Sequence, residues 1–319
     1  MTTALLFDRH AVEEIEDWTE RVPRLGRSSV LWIDLERPSE SDIADVGDRL
    51  ELSDETRRRL ADRDETPQLG DFENYVHVTA CAPGEDGGLV SIDCLVSKRW
   101  VVTVHEEPLD VLERFRERAC GSGDTGRLDG LELLADLLEW VLESYFDAFE
   151  DIELVLEDID TTSMAPGDVD SKDEVLGRLV EVRREIGRLR RALTSHREML
   201  LALTRPELEA IASSESAERF SSLRARLDEA VQAARDSRES VVGSFDVLIA
   251  STGQRTNDIM KVLTLVSVLI LPGTLLAGIM GMNFKLGLFG EEIYFWIVLA
   301  AIVVIALATL GIARIRHWI

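Results

Sequence analysis

Thr264, Ser267, Thr274, Gly278 and Gly281 recur at intervals of three, seven, four and three inside or just beyond an apolar run, Val262 to Met280, that holds no ionisable residue. Those intervals put the five on one helical stripe. Continued toward the amino terminus, the stripe passes Leu271 and Met260 and reaches Asn257, Gly253 and Asp246. It is polar at its ends and apolar in the middle. With no carboxylate or histidine in the run, there is nothing to relay protons or to bind a bare ion within a membrane. That argues against a proton-coupled pump and leaves two readings of the stripe. Small residues let membrane helices pack closely, or the stripe lines a polar path.

The elements that would carry such a stripe are two uncharged runs, Val262 to Met280 and Ile293 to Ala313, twelve residues apart. An isolated apolar helix of about 20 residues matches a bilayer's hydrocarbon core, and backbone groups in lipid must be paired within the helix. The runs therefore read as a transmembrane hairpin whose turn begins Gly281-Met282-Asn283. Arg255 and Lys261 precede the first run and Arg314 and Arg316 follow the second, whereas the turn sets Lys285 against Glu291 and Glu292. The positive-inside tendency then puts both termini in the cytoplasm and the Gly-Met-Asn turn outside. The second run is uniformly aliphatic, with Tyr294, Phe295 and Trp296 at its outer edge, as suits a lipid-facing helix. A single hairpin cannot enclose a channel, so a path along the stripe requires a cyclic homo-oligomer.

The 319 residues leave about 250 for one or two cytoplasmic modules. No secretory signal is evident between Met1 and His10. A net charge of -25 disfavours polyanionic partners, nucleic acid and anionic lipid alike. Four lysines (Lys98, Lys172, Lys261, Lys285) against 60 acidic residues resemble the surface of a protein from a salt-rich cytoplasm. Cys81, Cys94 and Cys120 lack metal-ligand spacing and read as buried or half-buried thiols. The dispersed His10, His77, His105, His196 and His317 read as surface or strand residues, and acidic pairs such as Glu150-Asp151 and Glu157-Asp158 as solvated faces.

Strand signals fall at 31–35, 75–79, 90–96 and 100–104, rich in β-branched residues, and serine-capped helices at 39–50 and 53–62. From Leu128 the β signal ends. Leu131, Leu134, Leu138, Val141, Leu142, Tyr145, Phe149 and Ile152 recur at helical spacing up to the breaker Met164-Ala165-Pro166-Gly167. A second long helix spans 171–203. A third opens at Pro206 and runs past Gly243 and Gly253 into the first membrane run.

Thr256-Asn257-Asp258-Ile259-Met260-Lys261-Val262-Leu263-Thr264, with Pro272, Thr274, Ala277-Gly278-Ile279 and Gly281-Met282-Asn283-Phe284, resembles the pore helix of the CorA family of magnesium channels. Phe72-Glu73-Asn74-Tyr75-Val76 and the basic tail with Trp318 resemble the family too. The resemblance implies an α+β membrane protein: a cytoplasmic α/β/α domain, and a long-helix stalk continuing into the first of two transmembrane helices, in a funnel-shaped homopentamer. The divisions would be a cytoplasmic α/β domain at 1–127, long helices and stalk at 128–257, a pore-lining span at 258–281, an outer loop at 282–292, a second span at 293–313 and a basic cytoplasmic tail at 314–319.

By the same resemblance, Gly281, Met282 and Asn283 form the outer selectivity mouth. Met260 and Leu263 form a hydrophobic constriction, Leu271, Thr274 and Gly278 line the bore beside Thr264 and Ser267, and Asn257 and Asp246 lie on its cytoplasmic side. The cargo is Mg2+, with Co2+ and Ni2+ as further cargo, in a multi-pass protein of the cell membrane. A neutral mouth suits magnesium, which holds its octahedral water shell tightly. Asn283 side-chain and Gly281 backbone carbonyls would grip the first-shell waters. Influx of a divalent ion down ~100 mV is worth about 4.6 kcal/mol, so no enzyme activity and no nucleotide is required, and no Gly-rich phosphate loop is seen. The apolar ring would gate by dewetting.

Several positions depart from the family's pattern. Arg57-Arg58-Arg59-Leu60 and Ser221-Ser222 stand where regulatory carboxylates are usual, with Asp62, Asp64 and Glu65 as substitutes. Met280 replaces the usual aromatic, and Lys285-Leu286-Gly287-Leu288 lacks an acidic residue. Two alternatives stay open: a zinc or other divalent-cation transporter on the same scaffold, and a membrane-tethered scaffold or divalent sensor. Against tightly bound zinc, neither run contains histidine or cysteine.

Overall fold

The computed structural model describes residues 2–8, 11–22, 25–26, 29–62, 68–84, 87–121, 129–165, 169–203, 216–282 and 292–315. Seven strands, β1 (Thr2–Asp8), β2 (Ala11–Glu14), β3 (Val30–Glu36), β4 (Gln68–Asp71), β5 (Val76–Pro83), β6 (Leu89–Val96) and β7 (Trp100–His105), form one sheet in the order β2-β1-β3-β7-β6-β5-β4. Strands β3 and β7 pair in parallel, Leu31 opposite Trp100 through Glu36 opposite His105; the other neighbours are antiparallel. A parallel pair needs a long crossover. Residues 37–99 provide it, including α1 (Glu40–Arg49) and α2 (Asp54–Asp62).

Alternation along the strands builds two faces. Leu31, Ile33 and Leu35 of β3 join Val102 and Val104 of β7 in a core with Val46, Leu50 and Leu60 from the α1 and α2 side. Trp32, one residue out of phase, turns to the other face, where its ring meets Phe115 of α3 (Asp110–Gly121) edge-on at 5.3 Å. Phe115 in turn lies 6.3 Å from Trp140 of α4 (Gly130–Met164). The result is the α/β/α sandwich that the resemblance implies.

Local signals set the helix starts. Ser39 caps α1 in a reciprocal box with Asp42, and Ser53 Oγ accepts from the Thr56 amide at 3.1 Å. Asp129 and Glu132 form a second box at the head of α4. The three arginines of α2 are occupied locally: Arg57 bonds Asp48 at 2.7 Å, Arg59 bonds Glu55 at 2.7 Å, and Arg58 donates to the Asp54 carbonyl at 3.2 Å.

Helices α4 and α5 (Val169–Leu203) lie over the half of the sheet containing β4, β5 and β6, and the same compact unit, Met1–Phe245, holds the sheet and both helices. Asp246–Ile319 is a second unit. Helix α6 (Ser216–Gly281) is a single 66-residue element, about 100 Å at 1.5 Å per residue. Gly243, Gly253 and Pro272 do not interrupt it. Its expected start at Pro206 lies outside the described residues. Helix α7 (Glu292–Ile315) follows.

Candidate functional site

Asp246, Asn257, Met260, Leu263, Thr264, Ser267, Leu271, Thr274, Gly278 and Gly281 all lie on α6, with Met282 one residue beyond its end. Ser267 is half-buried and the others are exposed, among them Met260 (54 %), Leu263 (58 %) and Leu271 (65 %). Asn283, the loop to Glu291 and the tail from Arg316 lie outside the described residues. One chain presents these side chains as a stripe and does not close them around an axis.

The opposite side of α6 has a different character. Leu265, Leu269, Pro272, Gly273 and Leu276 are half-buried, and they recur at the three- and four-residue spacing of one helix face. At 3.6 residues per turn that face is about half a turn from the stripe. It is turned to α7: a Cβ placed on Gly273 would sit 3.5 Å from Ile302 Cγ2. On α7 the half-buried positions among the described residues are Val298, Ile302, Ala306 and Thr309. The small residue at 273 serves helix packing, while the stripe faces away from the hairpin partner.

The hydroxyls on the stripe have a defined polarity. Thr264 donates to the Met260 carbonyl at 2.7 Å, Ser267 to Leu263 at 2.8 Å, and Thr274 to both Ile270 and Leu271 at 3.0 and 2.9 Å. With its proton turned back onto the helix, each hydroxyl shows lone pairs outward. The waters around a metal cation point their hydrogens away from the ion, so an acceptor-only stripe matches them. Pro272 cannot donate to the Val268 carbonyl. The two Thr274 bonds reach the Ile270 and Leu271 carbonyls and not the Val268 carbonyl that the proline leaves. Past Gly281, the Met282 amide bonds the Ile279 carbonyl at 3.2 Å and closes the last turn.

Among the described residues, one helical stretch, within Glu218–Ile279, is long and apolar enough to cross a membrane; the apolar stretch described in α7 is the shorter Trp296–Ile312. No group of three or more His, Cys, Asp or Glu side chains among the described residues is placed to hold a metal ion. Ser221 and Ser222 are exposed on α6, and Ser222 donates to Glu218. Of the candidate regulatory carboxylates, Asp62 ends α2, while Asp64 and Glu65 lie outside the described residues.

Among the described residues, buried polar networks join residues far apart in the sequence, beside the His77–Asp93–Thr79 group on β5 and β6. Trp32 Nε1 donates to Thr103 Oγ1 at 2.9 Å, and Thr103 donates to Asp34, which faces His105 Nε2 at 3.3 Å. Burial lowers the His105 pKa, but hydrogen bonding and charge from Asp34, with the Glu107 carbonyl and Glu36, raise it above the ordinary value overall. Farther along the sheet, the Cys81 amide donates to His196 Nε2 at 3.1 Å and the Cys81 carbonyl accepts from Tyr145 at 2.8 Å. His196 Nδ1 faces the Ala192 carbonyl at 2.8 Å, which fixes the neutral tautomer, and burial pushes its pKa down to about 4. His196 is thus a buried helix residue, neither a surface nor a strand histidine. Cys81 and Cys94 are buried as expected, whereas Cys120, near the end of α3, is exposed.

A model of the CorA-like Mg2+ transporter protein family matches residues 27–314. The chain is similar to the cobalt/magnesium transport protein CorA of Methanocaldococcus jannaschii, 24 % identical over 305 residues covering 91 % of this chain and 92 % of that one. It is likewise similar to the CorA of Thermotoga maritima, 25 % identical over 308 residues covering 93 % and 86 %. In fold it matches the complete CorA magnesium transporter structure from M. jannaschii, with a TM-score of 0.79 at 21 % identity over 100 % of this chain and 99 % of that one. It also matches full-length CmaX, with a TM-score of 0.73 at 19 % identity over 99 % and 97 %. With the family match extending from just before β3 through the rest of the sheet, the long helices and both apolar carboxyl-terminal helices, the chain belongs to the CorA-like Mg2+ transporter family.

Proposed function

We propose that this protein is a magnesium channel that admits hydrated Mg2+ to the cytoplasm, driven by the membrane potential, with Co2+ and Ni2+ as additional cargo. The observation that carries the reading is the stripe on α6: between Thr264 and Gly281 it holds hydroxyls with their protons tied back and no ionisable group, on the side away from α7. Relatives named cobalt/magnesium transport proteins support the choice of cargo.

In this reading five copies place α6 around a common axis, α6 and α7 both cross the membrane, and both termini are cytoplasmic. Gly281, Met282 and Asn283 form the outer mouth and hold Mg2+ through its waters. Thr274, Gly278, Leu271, Ser267 and Thr264 line the bore. Met260 and Leu263 form an apolar collar that closes by dewetting, and Asn257 and Asp246 flank its cytoplasmic exit.

The test is Mg2+ entry into sealed proteoliposomes with an inside-negative potential, native protein against Asn283→Ala. Entry that depends on the potential and is lost in the variant supports the reading. Native protein that inserts and assembles yet passes no Mg2+, Co2+ or Zn2+ at low internal magnesium would sink it and favour a membrane-tethered scaffold.

A further inference from the structure

In a chain where acidic residues outnumber basic ones 60 to 35, a concave site walled by cations alone is unexpected. One exists between α5 and α6 within the first compact unit: a cleft of about 290 Å³ whose charged lining is Arg183, Arg190 and Arg238. Among the described residues, no carboxylate lines it. The rest of the wall is mainly apolar, with Ile186, Val241 and Phe245 prominent. On the same two helices four other arginines are neutralised, Arg178 by Asp158, Arg197 by Asp228, Arg219 by Asp136 and Arg226 by Glu143, while Arg184, Arg191, Arg224 and Arg235 are in no ion pair among the described residues and lie outside the cleft. Among the described residues, Arg183, Arg190 and Arg238 take part in no such pair.

We propose that this cleft binds an organic polyphosphate, with Arg183, Arg190 and Arg238 gripping the phosphate chain and Phe245 supporting the organic part. Arg183 and Arg190 are seven residues apart on one helix, a rise of about 10 Å. That span suits several linked phosphates better than one. Guanidinium groups take phosphate oxygens in pairs, and Arg238 closes the grip from α6. The cleft lies at the lower edge of the usual range for small-molecule sites, so the ligand is held by its phosphates and one apolar edge. A Gly-rich loop serves backbone capture of phosphate and is not needed here.

The test is calorimetric titration of the full-length protein, in detergent without phospholipid and with a chelator present, using adenosine triphosphate and, separately, inorganic triphosphate. Saturable binding of both is expected, weakened at least about tenfold in the Arg183→Ala/Arg190→Ala/Arg238→Ala variant and unchanged in Arg178→Ala. Phe245→Ala is expected to weaken the nucleotide severalfold while sparing triphosphate. If the triple variant fails to fold, Arg190→Lys replaces it, with a severalfold loss expected because the planar fork is gone. No saturable binding by the native protein, or equal affinity in the triple variant or its replacement, overturns the proposal. So does a native protein that binds neither probe while the triple variant loses oligomeric mass, which would assign the cleft to a second copy of the chain.

Discussion

His105 and Asp34 face each other across the parallel β3–β7 pair, Nε2 lying 3.3 Å from a carboxylate oxygen, while His105 Nδ1 lies 2.6 Å from the Glu107 carbonyl. Both ring nitrogens therefore meet acceptors, an arrangement that favours imidazolium. Because the folded pKa is raised, this histidine contributes stability that is fully present below about 6.5, its unfolded value. The contribution is lost as pH rises through the folded value. The apparent melting temperature of native protein is expected to fall over that window relative to His105→Gln, and parallel pH profiles for the two would refute the assignment.

His196 has the opposite sign. Its folded pKa, about 4, lies below the unfolded value, so the unfolded chain takes up a proton first as pH falls. Stability should decline between about pH 6.5 and 4, by about 3 kcal/mol at most for a fully buried ring. His196→Gln retains an acceptor for the Cys81 amide and should flatten that part of the profile. Denaturant midpoints measured at pH 7 and pH 5 provide the comparison.

Gly130 opens α4 against the turn between β6 and β7, donating to the Lys98 carbonyl at 3.2 Å. An added Cβ would overlap the Ser97 carbonyl oxygen, closer than any backbone allows without moving. Gly130→Ala is expected to cost roughly 3–5 kcal/mol, in the upper tail for single substitutions, and to lower the yield of folded protein. An alanine variant with native melting behaviour would show that α4 can retreat from the turn.

Thr274→Val keeps the shape of the side chain but removes the oxygen that faces away from α7. In the proposed channel, losing one acceptor per copy should reduce Mg2+ flux by a factor of about 10 at unchanged assembly. Gly273→Ala tests the opposite face: the added methyl meets Ile302 at ordinary contact distance, so flux should be nearly native. If the two variants exchanged effects, the stripe would be the packing surface and the bore would have to be sought elsewhere.

Strong local signals made much of this fold legible. Four strands and two serine-capped helices appear within a few residues of where alternation and capping put them, and the long amphipathic helices likewise. Strands β1, β2 and β4 were not separately readable. Gln68–Asp71 is four residues with one β-branched or large apolar side chain, Leu69, and takes its conformation from its pairing with β5. Helix α3 was hidden for a similar reason, since its placement follows from Phe115 wedging between Trp32 and Trp140. At the site, spacing alone gives the stripe, but periodicity leaves open which side packs. Pairing with α7 at Gly273 resolves that only in three dimensions. The His105 and His196 networks join residues 71 and 115 positions apart, beyond any local signal.

The inward-turned hydroxyl protons of Thr264, Ser267 and Thr274 carry one more consequence. Water around chloride turns its hydrogens toward the ion and its oxygens outward, so a hydrated anion entering a tube made from this stripe would set lone pair against lone pair. A hydrated cation meets the same wall hydrogen-first. Discrimination by sign of charge then needs no ionised side chain anywhere in the tube, and it would survive changes of pH and ionic strength that erase selectivity built on rings of carboxylates.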